Sequence, residues 1–251
     1  MSFIVIKTQG QLELMKAAGR LTANVLELIR ENVREGISSR ELDALAYEFI
    51  TKNGAVPSFL NYHGYPASIC ASVNDTVIHG IPDDYRLKSG DIISVDVGVF
   101  IGGYHGDAAR TFTVGDVADD VKKLISVTEE CFMKGFFAAQ KGGFISDISK
   151  AVQQHAEAHG YGVVREYIGH GVGKAMHEAP EVPNYYAEGM QRIRLREGMT
   201  IAIEPMINLG SHLVRTLKDG WTVKTIDGKP SAHYENTIAI TANGPEILTK
   251  A

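Results

Sequence analysis

The sequence predicts an α+β fold in which a central antiparallel sheet is covered by helices, arranged as one domain of two related halves, about residues 1–115 and 116–251. Three observations predict it. The 251-residue chain is 44% hydrophobic and 22% charged, a composition that supports a sizeable core. A helix-helix-strand pattern occurs twice. The segment RLKSGDIISVDV, residues 86–97, also aligns without a gap to RLREGMTIAIEP, residues 194–205, at a constant offset of 108.

The elements follow in order. Thr8 with Gln11 reads as a capping box, and Leu14, Ala18, Leu21, Val25 and Leu28 supply a helical apolar stripe that Gly36 ends. Ser38 with Glu41 repeats the cap; Leu42, Leu45, Ala46 and Phe49 repeat the stripe, and Gly54 stops it. In the second half Val121, Leu124, Ile125 and Thr128 share one helix side, leading to Gly142 and Gly143. Ser146 is then expected to open a helix with Val152 and Ala156 on its stripe, ending at Gly160. Ser146 keeps the 108 offset from Ser38, and Gly160 stands 106 after Gly54. Two copies are too few for a solenoid, so a compact pseudo-twofold product is expected.

Several classes are excluded by composition. The apolar run at 92–99 is broken by Ser94 and Asp96 and falls short of the roughly 20 residues a membrane helix needs. The opening MSFIVIKTQG reads as neither signal nor transit peptide, so a cytoplasmic protein without a membrane partner is expected. Cys70 and Cys131 are too few for a Cys-rich zinc module and read as buried free thiols. A formal net charge of −5, with no dense basic run, argues against nucleic acid.

The chemistry concentrates in carboxylates on strands. Asp96 interrupts an apolar strand, where an ionised group needs a cation or hydrogen-bond partners. If Ile101 and Gly102 form the hairpin loop of the following segment, Asp96 lies directly opposite Asp107, with Cβ atoms about 5 Å apart. Such like charges repel unless one is protonated or a divalent cation sits between them. The duplication superposes Glu204, at the end of the apolar run 199–203, on Asp96, and Glu235 lies in the alternating AHYENTIAI. A structural ion pair would explain any one of these; four, two of them related by the repeat, point to a metal centre. His170 in GHGVG has the setting of an imidazole ligand, its glycines allowing close approach, and the spacing is not a dinucleotide fingerprint. His177 in MHEAP and His79 in VIHGIP stand in Gly- or Pro-bounded loops, whereas His155 and His159 read as surface residues of a helix and its end.

On the stretches NYHGYPASICASVNDTVIHGIP, DVGVFIGGYHGD, VVREYIGHGVGKAMHEAP, IAIEPM, KDGWTVKT and YENTI, the chain resembles the bacterial type I methionine aminopeptidases with their duplicated "pita-bread" metallopeptidase fold. The resemblance covers nearly the whole chain. It implies that Asp96 binds one metal, that Asp107 and Glu235 bridge two, and that His170 and Glu204 complete the second site. It further implies two divalent ions, drawn from Mn, Fe, Co or Zn, and a water that attacks the first peptide carbonyl with Glu204 as proton acceptor. His177 is implied to bond the carbonyl oxygen and His79 the peptide nitrogen. Phe59, Tyr62, Tyr65, Cys70, Met176 and Trp221 are implied to receive the methionine side chain, with His63 a further substrate-binding residue. Departures from the family pattern fall at Phe59, Met176, His233 and Asn236.

What the resemblance implies about biology is removal of the initiator methionine from nascent polypeptides with a small second residue, near the ribosome, by a monomer. The chain's own Met1 followed by Ser2 has that form. Prolidase or proline aminopeptidase chemistry is the nearest alternative, disfavoured because those relatives carry an extra N-terminal domain for which this chain has no room. Type II methionine aminopeptidases carry a helical insertion for which the 33 residues between His170 and Glu204 leave no space. A non-catalytic peptide-binding relative would be expected to have lost ligands that are all present here.

Overall fold

The reciprocal helix caps form as the sequence requires in the first half of the structure, a computed structural model that describes residues 3–251. Met1 and Ser2, and with them the reading of the chain's own initiator, lie outside the described residues. Helix α1 spans Gln9–Asn32, its Gln11 amide donating to Thr8 Oγ1 at 3.4 Å while the Thr8 amide donates to Gln11 Oε1 at 2.8 Å. Helix α2 spans Ser39–Lys52, and its Ser38 amide donates to Glu41 Oε2 at 2.8 Å. Two details differ from expectation. Helix α1 stops at Asn32, where Val33 turns extended and packs on the core; Gly36, with φ of +85°, serves instead the turn into α2. Its buried stripe also starts at Leu12 and Met15, leaving Leu14 45% exposed. The reason is tertiary: the first turns of α1 pack against Val172, Ala202, Ala239 and Leu248 of the second half, whereas Leu21, Val25 and Ile29 pack on the first.

Helix α3 spans Asp119–Ala138 and α4 spans Ile145–Ala158. Ser146 is not the N-cap of α4. The cap is Phe144, whose amide donates to Asp147 Oδ2 at 2.9 Å, so the helices of the two halves correspond at 106 while the strands correspond at 108. Backbone bonds repeat the relation. The Gly36 amide donates to Leu87 O at 2.8 Å and the Leu87 amide to Ile37 O at 2.9 Å; in the second half Gly142 donates to Leu195 O at 2.9 Å and Leu195 to Gly143 O at 2.8 Å. Arg86 Nη1 reaches Gly36 O at 2.7 Å, and Arg194 Nη1 reaches Gly142 O at 3.0 Å. Each half thus hangs its helix pair on the entry of its carboxylate-bearing strand.

The strands pair antiparallel throughout, but the expected single central sheet is divided into four ladders. In the first half Ile92–Ile101 pairs with Val56–Pro57, Ile69–Val73 and Tyr104–Thr113. In the second the order is Gly244–Ile247, Asn236–Thr241, Thr200–Ile203, Gly169–Gly171 and Glu178–Val182. The two halves are joined at the seam by Glu235, which lies between strands and donates to Ala109 O at 3.0 Å while accepting from the Ala109 amide at 3.3 Å. Beside it Thr237 Oγ1 accepts from the Asp107 amide at 3.1 Å and donates to Asp107 O at 2.9 Å. One apolar layer lies between α1, α2 and the first sheet, another between α3, α4 and the second.

Where α1 crosses the seam, only glycine fits. A Cβ on Gly19 would lie 2.2 Å from Leu248 O, and one on Gly106 would lie 2.8 Å from Gly19 N. Gly19→Ala is therefore expected to lower stability by about 1–3 kcal/mol through overpacking. Urea unfolding should show it as a lower midpoint at unchanged slope.

Candidate metal centre and substrate pocket

Four carboxylates and one imidazole converge at the seam. The hairpin that carries the first two closes on Gly102 and Gly103, with φ of +62° and +83°, the positive values that a two-residue type I′ turn demands. This is one residue beyond the expected loop, so Asp107 pairs with Gly98 and Asp96 with Ala109. Direct opposition of the two aspartates is thereby corrected to a diagonal relation. Because side chains alternate with a period of two, a register shift of two leaves both on the same face. Their carboxylates lie within hydrogen-bonding reach of one another, as do those of Asp107 and Glu235.

Glu204 follows the strand Thr200–Ile203, and its carbonyl accepts from Asn184 Nδ2 at 3.0 Å. Glu235 is held at both backbone groups by Ala109, and Arg110 Nη1 donates to its carbonyl at 2.6 Å. Arg110 Nη2 and Thr249 Oγ1 both donate to Asn236 Oδ1, at 2.8 and 2.9 Å, so the C-terminal segment secures the strand beside Glu235.

His170 stands in Gly169–Gly171, squeezed between two strands: a Cβ on Gly169 would lie 2.4 Å from Ala202 O and one on Gly171 2.3 Å from Ala179 O. The flanking glycines thus admit neighbouring backbone, a role distinct from the approach to a ligand expected of them. His170 Nδ1 lies 2.8 Å from Gly171 O. A carbonyl can only accept, so Nδ1 carries the proton and Nε2 keeps its lone pair. That Nε2 is 3.6 Å from both Asp107 Oδ2 and Glu204 Oε1.

The electrostatics of this cluster are unfavourable without a cation. Burial pushes Asp96 up to about 7 against hydrogen bonds from Asp107 and the Val97 amide. Burial, then the neighbouring carboxylates, drives Asp107, Glu204 and Glu235 well above their ordinary range. Burial, with His177 adding to it, lowers His170 to about 3, so its ring is neutral. Asp96 Oδ1, Asp107 Oδ1 and Glu235 Oε1 are buried with no hydrogen-bond partner. Hard oxygen donors without protein partners, beside an imidazole whose tautomer is fixed by a backbone carbonyl, fit a divalent metal.

A cavity of about 180 Å³ opens from these groups. Phe59, Tyr62, Tyr65, Cys70 and Trp221 line it, together with His79, His177 and all five proposed ligands. Two expected pocket residues do not. Met176 is 2% exposed and packs behind Phe59, Tyr65 and Cys70; His63 is exposed with φ of +49°, its ring edge-on to Tyr62 at 4.4 Å. Ile78, Tyr167 and Ile168 line the cavity and were not expected. The last two lie just before His170 in VVREYIGHGVG, where chain proximity to a ligand was the available signal. Phe59 abuts the strand of Asp96, since a Cβ on Gly98 would meet its ring at 2.7 Å.

Two further histidines sit on the rim. His177 Nδ1 is 2.8 Å from Tyr62 Oη, and its ring is 4.0 Å from that of His170. Its loop is anchored by an ion pair between Lys7 and the neighbouring Glu178 at 2.5 Å, with Lys7 nearly inaccessible. His79 has φ of +56°, and burial lowers it to about 4, so it is neutral; Tyr167 stands edge-on to it at 5.6 Å. His233, buried and lowered to about 3 mainly by burial, lies 3.8 Å from Glu235 Oε2 through its Nε2.

Comparison with known proteins agrees with this geometry. The profile of metallopeptidase family M24 matches residues 13–242. The methionine aminopeptidase of Clostridium perfringens is 54% identical, covering 98% of both chains, and methionine aminopeptidase 1 of Bacillus subtilis is 50% identical over 98% of this chain and 99% of its own. The crystal structure of methionine aminopeptidase from Rickettsia prowazekii superposes with a TM-score of 0.96 at 44% identity, covering 98% of this chain and 100% of that one. A prolidase from Pyrococcus horikoshii shares the fold less closely, with a TM-score of 0.78 at 26% identity, and only 64% of its chain is covered. The chain belongs to metallopeptidase family M24 and, within it, to the methionine aminopeptidases.

Proposed function

We propose that Asp96, Asp107, His170, Glu204 and Glu235 hold two divalent metal ions, and that the cavity beside them receives the side chain of an N-terminal methionine. The observation that carries this reading is the convergence of four carboxylates, three with partnerless buried oxygens, on the free Nε2 of His170 at the floor of an aromatic cavity. The enzyme removes N-terminal methionine as a metallo-exopeptidase; the substrate is the initiator residue of nascent polypeptides, cleaved when the second residue is small. The prolidase alternative is disfavoured by the full-length identity to methionine aminopeptidases.

The ions, drawn from Mn, Fe, Co or Zn, would supply Lewis acidity and lower the energy of a water nucleophile at neutral pH. Glu204 takes up the proton of the attacking water at its carboxylate and later passes it to the leaving amine. His177 Nδ1 pairs with Tyr62 Oη, and in the tautomer where the phenol donates, Nε2–H is left to bond the carbonyl oxygen as it gains charge. Neutral His79 accepts or donates at the peptide nitrogen. Phe59, Tyr62, Tyr65, Cys70 and Trp221 enclose the thioether, whose polarisable sulfur packs well against aromatic rings. His63 acts from outside the cavity, through Tyr62, and Met176 acts as packing behind it.

The two halves, 1–115 and 116–251, act as one metallopeptidase domain because the ligands come from both. The protein works as a cytoplasmic monomer near the ribosome, on polypeptide rather than nucleic acid. No helix among the described residues is long and apolar enough to cross a membrane.

Three outcomes test this reading. His177→Ala is expected to lower kcat by about 10²-fold with metal content unchanged by elemental analysis; loss of the metal would make His177 a ligand. Metal binding to the stripped protein near pH 7 should release protons, because burial holds the carboxylates above their ordinary range and Asp96 at about 7. Affinity should therefore fall as pH drops through that value, and calorimetry in buffers of different ionisation enthalpy would reveal it; pH-independent binding without proton release would remove these carboxylates from the ligand set. Finally, kcat/KM over Met-X-Ser peptides should favour Gly, Ala and Ser at X, since bulk there displaces the carbonyl from its catalytic groups. With X-Ala-Ser peptides, Phe59→Cys should admit larger first residues than the wild type does; an unchanged profile would remove Phe59 from the pocket.

A further inference from the structure

On the outer face of the α3–α4 pair, away from the residues that line the cavity, Glu130, His155 and His159 form a second cluster of metal-ligating groups. A carboxylate oxygen of Glu130 and a ring nitrogen of each histidine lie within 4.8 Å of one another. The geometry follows from the helices. His155 and His159 are four residues apart, the spacing that stacks two side chains on one helix face, and their rings meet edge-on at 4.7 Å. Helix α3 runs alongside and brings Glu130 Oε2 to 2.7 Å from His155 Nε2.

His159 is also pre-oriented. It caps α4, and its Nδ1 donates to His155 O at 2.8 Å, so the neutral ring carries its lone pair on Nε2. This is the same tautomer lock that the Gly171 carbonyl imposes on His170. Tyr161 lies nearly parallel to the His159 ring at 6.4 Å. A part-exposed His–carboxylate pair by itself would add little to stability. Two imidazoles and a carboxylate with an open solvent side instead match the three protein ligands plus water that tetrahedral zinc takes.

We propose that Glu130, His155 and His159 form a peripheral site for a borderline divalent transition metal, with Zn²⁺ as its representative, which clamps α3 to α4. On binding, the metal replaces the proton of His155 Nε2; that proton moves to Nδ1, or to solvent when the ring starts as imidazolium. Glu130 coordinates through its carboxylate and His159 through Nε2, the nitrogen that its bond to the His155 carbonyl leaves free. The clamp fixes the helix layer that packs behind Glu204 and Glu235, since Phe132 of α3 meets the ring of Tyr234 at 5.2 Å.

The test uses zinc-loaded enzyme freed of excess metal, titrated with Zn²⁺ at about pH 7.5, above the ordinary histidine range. Bound zinc is counted by elemental analysis after equilibrium dialysis. Wild type is expected to take up one further zinc and to gain in Tm. Glu130→Gln and His159→Gln should each weaken that uptake by at least about tenfold and abolish the Tm gain, with unchanged kcat on Met-Ala-Ser before zinc is added. Absence of a further zinc in wild type, or equal uptake by both variants, overturns the proposal. The outcome does not depend on how many ions the central site holds, because the count is taken as a difference between proteins that share that site.

Discussion

Mutual repulsion among four buried carboxylates is the constraint on which the rest of this structure depends. All four are pushed upward first by loss of water, and Asp107, Glu204 and Glu235 are raised further by the neighbouring carboxylates, whereas Asp96 is raised by burial alone. A fold gains nothing from such an arrangement by itself, since buried charge is costly unless neutralised or paired. The protein holds it through backbone. The Ala109–Glu235 and Asp107–Thr237 bonds across the seam fix two carboxylates by main-chain atoms, leaving one side-chain oxygen of each unpartnered and available to a cation.

The duplication explains how one short segment can be asked to do this twice. In each half an arginine and two backbone bonds tie the turn between the helices to the residues before the carboxylate strand. The two strands then carry their ligands, Asp96 and Glu204, at equivalent positions of the repeat. The halves also diverge: the Ser38 cap becomes Phe144, with Asp147 preserving only the half of the box that satisfies a backbone amide.

Around the carboxylates the remaining residues separate by physical task. Hydrogen-bonded backbone sets the His170 tautomer, and a phenol sits on His177 Nδ1. An inaccessible ion pair holds the His177 loop. Packing, more than polarity, shapes the cavity, because Phe59 is wedged on Gly98 and Met176 fills the space behind. The departures from the family pattern therefore fall into two groups. Phe59 and Met176 bear on the shape of the pocket. Asn236 and His233 bear on what surrounds Glu235, one tied to Arg110 and Thr249, the other facing the carboxylate itself.

The sequence by itself determined the fold class, the doubled pattern, two of the helix starts and the set of acidic residues that had to share a partner. These are legible because they rest on local physics: helix periodicity, capping pairs, and the cost of a charge inside an apolar strand. It could not determine the hairpin register, which moved by one turn residue, because Ile101, Gly102 and Gly103 allow two loops and only the paired strands choose between them. Nor could it show that α1 turns its first residues toward the other half, that Met176 is packing and His63 solvent, or that Tyr167 and Ile168 complete the cavity. Those outcomes are set by contacts between segments more than a hundred residues apart, and the tertiary structure alone decides which faces meet.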